Sequence, residues 1–464
     1  MSSARFGFVA TDPLVPPVVS SRWRSRVQIA IAFVVAGFVV ATFLSTRKPD
    51  SQDQDFGAYY RAGQAAIAGT SPYVIDSHGP LGAYMYAPVF AHTFFRGLAH
   101  LPYLWAVRLF MLINWLATIT CAWLCLRLMR APGRDLLLLG LIALIPTGDY
   151  LKANLHNGQV GTMLLLACVG WMSLMLTGRS FLGGLLLSLA IGLKLYPALL
   201  VPYLLLRKDW RGIAGVCVGV LILFCIPGFF VGFGHLIPLH QQWLKFCMST
   251  QIASQTIRTG NQSLLGVLAR LPMITNGRQG LVSADNLAKL IRIYPAIVLV
   301  LTAGVYAFLY RSTRRLHTGL AASAAIALAA EAASPVRASN DRIVVRDVSL
   351  LLLWMTLASP RAWTFNFAVE ILPAMLLAGA ILDRRPRCWA AIIALLCVPI
   401  ALGFPTNSLT FSDRWSLGAY ALQNKHFDAA LILAAALIWV SSLTDEPSNP
   451  PAVLAEHHQP AATA

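Results

Sequence analysis

Charge is the scarcest commodity in this chain. Of 464 residues only 12% are Asp, Glu, Lys or Arg, roughly half the share of an ordinary soluble domain. With 57% hydrophobic residues and a mean hydropathy of +0.65, a water-soluble fold is excluded. Acid is the rarer sign, 19 residues against 36 basic ones, leaving a formal net charge of +17. On a soluble protein that excess would point to nucleic acid. Here the basic residues stand in short clusters between apolar runs, so they report membrane topology and no nucleic-acid partner is expected. The eight cysteines include no CxxC pair and no Cys/His cluster with metal spacing, which argues against a zinc site or a disulfide framework. Convincing similarity between the two halves is also lacking, as is any soluble catalytic domain.

What the chain does have is apolar runs, with 12 Trp, 13 Tyr and 22 Phe to supply membrane-interface belts. It reads as an all-α polytopic membrane protein. The run Ile29 to Leu44 follows Arg22, Arg24 and Arg26 and reads as a signal anchor with its N-terminus in the cytoplasm. Basic clusters recur at Arg127/Arg130/Arg134, Arg179, Arg207/Lys208/Arg211, Arg311/Arg314/Arg315 and Arg384/Arg385/Arg387. All fall on the inner side if the spans are 27–45, 103–126, 135–149, 160–177, 181–193, 196–206, 212–233, 288–310, 346–358, 364–382, 388–404 and 428–443. That arrangement has about twelve transmembrane helices and both termini inside. Residues 1–26 form a cytoplasmic tail, 27–443 the membrane domain, and 444–464 a disordered cytoplasmic tail.

Three choices shape this list. The run Met85 to Leu101 is kept as an interfacial or re-entrant helix, because a crossing there would put Arg127–Arg134 outside. The run Phe181 to Leu206 is split at Lys194-Leu-Tyr-Pro197. The stretch Gly319 to Ala333 and the charged segment Arg337–Asp347 are assigned to a cytoplasmic excursion. External segments are then Thr46–Tyr103, Gly234–Leu287 and Gly403–Phe427, with short turns at Tyr150–Gln159 and Ser359–Trp363. Any chemistry must occur where these meet the membrane surface.

In the first external segment Asp55 precedes the pair Tyr59-Tyr60 by four residues, which places acid and phenol on one helical face. Spacing alone favours a solvated loop helix with interface aromatics. Asp53-Gln-Asp55 also has the D-x-D form that binds metal-nucleotides, a pattern too short to carry weight alone. Lys194 lies inside an apolar run, where an ionisable group is either functional or snorkelling to the interface, and composition does not choose between the two.

Read in order, these elements resemble glycosyltransferase family 87, membrane transferases of the GT-C class. The family's D-x-x-x-Y, G-x-x-P-Y and Y-x-Y-P-P elements correspond to Asp55–Tyr59, Gly69–Tyr73 and Tyr84–Pro88, with Ala87 replacing the first proline. Asn157-Gly-Gln159 stands where the family has G-Q. Gly184, Gly192 and Lys194-Leu-Tyr-Pro197 resemble its glycine-spaced helix ending in L-K-x-x-P. Asn261-Gln262-Ser263 matches N-Q-S, and Ser359-Pro360-Arg-Ala-Trp363 matches S-P-x-S-W. Each motif is weak; the ordered series from Asp55 to Leu382 is much more specific. One departure matters. Where family members often have a histidine after the tryptophan, this chain has Phe365 followed by Asn366.

The resemblance implies a GT-C-like fold with external interfacial helices and a polyprenyl-phosphate sugar as donor. Mannose is the expected sugar, passed with inversion to a lipid or glycan acceptor on the external face of the plasma membrane. It casts Asp55 as catalytic base, and Lys194 and Arg258 as ligands of the donor phosphate. Tyr59, Tyr60, Tyr86, Asn157, Gln159, Asn261, Gln262 and Trp363 would line the substrates, although capping and loop bonding is the better reading for any single amide. Arg270 reads as surface solvation. No cofactor or metal is required, and Asp53 with Asp55 leaves room for one. A transporter or lipid flippase is the competing reading, since broken helices and internal charge suit both. The topology itself is testable. Single cysteines beside Asp55, Asn261 and Trp363 should react with an impermeant reagent on intact cells, and labelling only after permeabilisation would refute it.

Overall fold

The computed structural model describes residues 55–74, 83–129, 135–247, 260–271, 284–327, 333–383, 388–403 and 424–441. The expected first span at 27–45, both tails, Asp53 and Arg258 lie outside these residues. Every regular element among the described residues is helical.

Helix α1 spans Asp55–Ile67, and two short helices, α2 (Pro88–His92) and α3 (Phe94–Ala99), follow. The break at Thr93 leaves neither long enough to cross a bilayer. Then come α4 (Tyr103–Leu128), α5 (Leu136–His156), α6 (Gly161–Leu176) and α7 (Ser180–Leu193). The Asp135 side chain starts α5 by accepting from the amides of Leu137 and Leu138, at 3.0 and 3.1 Å. α7 stops at Lys194, which is extended at φ −147°. Pro197 lacks an amide hydrogen and cannot continue the ladder. The chain restarts there as a 3₁₀ turn, Tyr196–Leu200, leading into α8 (Val201–Leu206). The expected split at Lys194 is therefore a real break.

Asp209 caps α9 (Trp210–Cys225), and a further turn at Gly228–Val231 extends its apolar run. The amphipathic α10 (Leu236–Cys247) and the short α11 (Leu264–Arg270) precede the 44-residue α12 (Ala284–Ala327). At 1.5 Å per residue α12 is roughly 66 Å long, about twice the hydrocarbon core. Leu299 and Val300, each 70% exposed on this apolar helix, show that it faces lipid rather than protein. α13 (Ala333–Ala358), a 3₁₀ segment Thr364–Glu370, α14 (Ile371–Leu382), α15 (Cys388–Gly403) and α16 (Lys425–Ser441) complete the chain. α14 is apolar all round and buried on nearly every face, so it is a central element.

Among the described residues five stretches are long and apolar enough to cross a membrane: Tyr103–Leu128, Leu136–His156, Trp210–Val231, Asp285–Arg311 and Thr364–Leu382. Four shorter apolar helices accompany them, Gly161–Leu176, Ser180–Leu193, Tyr196–Leu206 and Cys388–Val398. The chain is thus a helical multi-pass membrane protein; the described residues hold five long spans, and the expected span at 27–45 lies outside them.

One expectation needs correction. The turn expected at Tyr150–Gln159 is mostly helix, because α5 continues to His156. Exposed Asp149 and Lys152 sit on its outer face while Tyr150, Leu151 and Asn154 bury; polar side chains do not end a helix whose backbone bonds are satisfied. The segment Arg337–Asp347, assigned to a cytoplasmic excursion, is helical as part of α13, and Gly319–Ala327 continues α12. Val344, Val345 and Asp347 are buried. Asp347 is tolerated there because Arg346 Nη2 donates to it at 2.6 Å and Tyr203 Oη at 3.3 Å.

α7 and α9 pack backbone to backbone. A Cβ on Gly184 would collide with the Gly212 carbonyl oxygen, and one on Gly215 with that of Phe181. Small residues are what permits such an approach between membrane helices. Gly184→Val should therefore lower thermal stability in detergent by at least the roughly 1–3 kcal/mol of an overpacked core. Gly304→Ala, which meets nothing within 4 Å, is the neutral control.

Candidate active site

The site begins at the first turn of α1. Phe56 and Tyr59 bury the inner face of this helix against Phe110 and Phe95, with ring centroids 4.9 and 4.8 Å apart. Gly63 lets α1 touch the backbone of α3, where a Cβ would meet the Phe95 carbonyl. With its inner face fixed in this way, the helix holds Asp55 one turn before Tyr59, on the same face.

Opposite stands the turn between α5 and α6. Gly158 adopts φ +63°, a left-handed conformation that suits glycine, and the Phe56 Cβ lies only 3.0 Å from where its own Cβ would be. This turn delivers Gln159, 4% exposed, into the space between Asp55 and the tyrosines. Its Oε1 accepts from Tyr59 Oη at 3.1 Å and Tyr86 Oη at 3.3 Å, and the two phenols are 2.8 Å apart. With the carbonyl end so occupied, the amide NH₂ is the end left to face the Asp55 carboxylate. Burial raises the Asp55 pKa above its ordinary value, while the Gln159 bond and the charge of Lys194 pull it back down.

Lys194 enters from the break between α7 and α8. Its Nζ donates to Asn366 Oδ1 at 2.7 Å and lies 5.5 Å from the Phe365 ring centroid and 5.9 Å from that of Tyr196. Burial lowers its pKa to about 8, against the raising effect of Asp55, and the nearby Arg361 lowers it further. So Phe365, standing where a histidine was expected, forms an aromatic wall for the ammonium, and its neighbour Asn366 holds it.

A third strand of polypeptide, 359–363, closes the site, and the N-Q-S element locks it in place. Asn261 Nδ2 and Ser263 Oγ both donate to the Pro360 carbonyl at 3.1 Å. Asn261 Oδ1 accepts from the Ala362 amide at 2.9 Å, and the Gln262 amide donates to the Ala362 carbonyl at 2.7 Å. Gln262 Oε1 also accepts from the backbone of His426 at 3.2 Å. Arg270 is the deepest brace. Far from being surface-solvated it is fully buried, with Nη2 donating to the Asn261 carbonyl at 2.8 Å and to Asn424 Oδ1 at 2.6 Å. Its charge belongs to the scaffold.

The structure thus gathers Asp55, Tyr59, Tyr86, Gln159 and Lys194 in one place. Asn261 and Gln262 stand behind it as a clamp on the turn, and the Trp363 ring covers Gly260. Asn157 ends α5 by donating to the Ala153 carbonyl at 2.7 Å. Tyr60 points elsewhere, donating to the Leu101 carbonyl at 2.8 Å beside the ring of Tyr103. Arg258 lies outside the described residues. Among those residues no group of three His, Cys, Asp or Glu could hold a metal ion.

Two members of the site were given no role from sequence. Asn366 sits three residues beyond the S-P-x-S-W element, noted there only beside Phe365, and reads locally as any loop amide. Arg361 is the variable position of that element, half-buried, with Nη1 donating to Met85 Sδ at 2.7 Å. Burial lowers its pKa, and it faces Cys247 and Tyr86.

The described residues thus form a helical membrane protein in which a buried carboxylate and a phenol pair stand near a buried ammonium. The sequence profile of glycosyltransferase family 87 matches residues 84–335. The chain belongs to that family and is a glycosyltransferase. The match takes in Tyr86, Gln159 and Lys194, while Asp55 and the 359–363 turn flank it. The chain is also 25% identical over 429 residues to the polyprenol-phosphate-mannose-dependent alpha-(1-2)-phosphatidylinositol mannoside mannosyltransferase of Mycobacterium tuberculosis, covering 85% of this chain and 86% of that one.

Proposed function

We propose that this glycosyltransferase moves mannose from a polyprenyl-phosphate donor to a hydroxyl of a lipid or glycan, at the external face of the membrane and with inversion. The observation that carries the reading is the juxtaposition of Asp55, beside Gln159, with Lys194, bonded to Asn366. The mannosyltransferase relative supports the choice of sugar and lipid carrier.

In the proposed reaction the acceptor oxygen attacks the anomeric carbon while its proton passes to Asp55. The bond from that carbon to the phosphate oxygen breaks, and the electron pair leaves with the polyprenyl phosphate. Lys194 stabilises the charge that develops there. Gln159 keeps Asp55 oriented, and Tyr59 and Tyr86 supply hydroxyls beside the sugar. Burial raises the basicity of Asp55, which suits a base working near neutral pH.

Purified protein should transfer radiolabel from polyprenyl-phosphate mannose to membrane-lipid acceptors. Asp55→Asn is nearly isosteric but cannot take the proton, so turnover should fall by roughly 10²–10⁴-fold with donor binding kept. Near-normal turnover would remove Asp55 from the reaction.

The pH profile gives a second check. Asp55 works ionised and Lys194 works charged. Activity should therefore rise as pH climbs through the raised Asp55 pKa and decline as pH passes about 8, where Lys194 loses its proton. Lys194→Arg should carry the alkaline limb upward, because a guanidinium stays charged. A wild-type profile flat from about pH 7 to about pH 10 would contradict the role of Lys194.

A further inference from the structure

Arg361 is a cation with unused capacity. A guanidinium offers five N–H donors in a planar fork. Among the described residues the one hydrogen-bond acceptor of that fork is a thioether, Met85 Sδ, among the weakest acceptors a protein can supply. Among the described residues no carboxylate is in ion-pair contact with it. Buried cations are ordinarily paired, because removal from water is costly.

Its surroundings sharpen the point. Arg361 lies near enough to Lys194 for the two charges to repel, and near Tyr86, which also bonds Gln159. Lys194 thus has the Asp55 carboxylate near it, which favours its charge, and the Arg361 guanidinium, which opposes it. Arg361 is also held in position rather than free to swing away. Its backbone lies between Pro360 and Ala362, both tied to Asn261, and its carbonyl accepts from Asn366 Nδ2 at 3.3 Å. Met85 is fixed in turn from α10, whose Trp243 Nε1 donates to the Met85 carbonyl at 3.0 Å. The protein spends structure on keeping an unpaired guanidinium beside an ammonium.

We propose that Arg361 is a ligand of the donor's phosphate, closing with Lys194 a two-cation clamp in which the guanidinium fork takes phosphate oxygens that the lysine, a point charge, leaves open. The proposal rests on the polyprenyl-phosphate donor of the preceding section. It makes Asn366 a positioning residue for both cations, through the Lys194 ammonium on one side and the Arg361 carbonyl on the other. An inorganic phosphate would satisfy the same chemistry, so the two sources must be separated by experiment.

The test is equilibrium binding to the full-length protein in lipid nanodiscs, which needs no turnover. The probes are undecaprenyl phosphate, undecaprenol as its uncharged analogue, and inorganic phosphate. Wild-type protein should bind undecaprenyl phosphate more tightly than the other two. Arg361→Gln should weaken that binding by about tenfold or more, as for one lost charge-assisted hydrogen bond, and leave undecaprenol binding unchanged. Arg361→Lys, which keeps the charge without the fork, should fall between. Arg361→Gln binding the phosphate within about twofold of wild type would overturn the role of Arg361 while leaving the donor reading intact. Wild-type protein that does not distinguish undecaprenyl phosphate from undecaprenol would overturn the donor reading and this inference with it. Inorganic phosphate binding as tightly as the lipid would overturn the assignment to a lipid donor. If Arg361→Gln loses its thermal unfolding transition, Arg361→Lys decides alone, and wild-type affinity in that protein would overturn the fork.

Discussion

The hydrogen bond from Lys194 to Asn366 joins two places where helices are interrupted, residues 172 positions apart in sequence. A break in a membrane helix exposes backbone groups that no water can satisfy within the hydrocarbon core, so it is tolerated only where it lines a polar site. α7 stops at Lys194 and α14 is preceded by a 3₁₀ segment, and the two irregularities face each other. The ammonium, the Asn366 amide and the Arg361 carbonyl then satisfy one another in series. Remove that junction and the apolar helices on either side lose the reason for their broken geometry.

The polar residues around this junction divide into two sorts. Asn261, Ser263 and Arg270 spend their hydrogen bonds on backbone carbonyls and amides of the 359–363 turn and its neighbours. They hold shape. Asp55, Tyr59, Tyr86, Gln159 and Lys194 bond one another's side chains, or a single amide, and keep donors and acceptors pointed into the same space. The aromatic packing of Phe56, Tyr59, Phe95 and Phe110 links the two sorts, because it sets where the first turn of α1 can lie. A displacement of α1 would move the carboxylate directly, with no flexible linker to absorb it.

Electrostatically the site sets the Asp55 carboxylate near the Lys194 ammonium, with the Arg361 guanidinium close enough to Lys194 to repel it. Burial pushes Asp55 up and Lys194 down, toward each other and toward neutral pH. Each group is thereby poised to exchange a proton or bind an anion, and neither is stabilised by a tight pair of its own. Such tension is costly to a fold and is kept where a ligand relieves it. The Arg346–Asp347 pair shows the contrasting solution, a direct 2.6 Å contact.

From the amino-acid order alone, hydropathy and the placement of basic clusters located α4, the break at Lys194 and the apolar 364–382 run, because burial in lipid leaves a local imprint on composition. The i, i+4 spacing of Asp55 and Tyr59 and the ordered motifs likewise marked Gln159 and Lys194 as candidates. Helix continuity was less legible: the charged residues of α13 and the polar end of α5 resemble loops until neighbouring helices supply partners for them. Only the tertiary structure could reveal that Arg270 is a buried brace, that Tyr60 turns away to Leu101, and that Arg361 and Asn366 belong with Lys194. Those roles are fixed by hydrogen bonds to distant or irregular backbone, and a side chain's partner across a bundle leaves no trace in the periodicity around it.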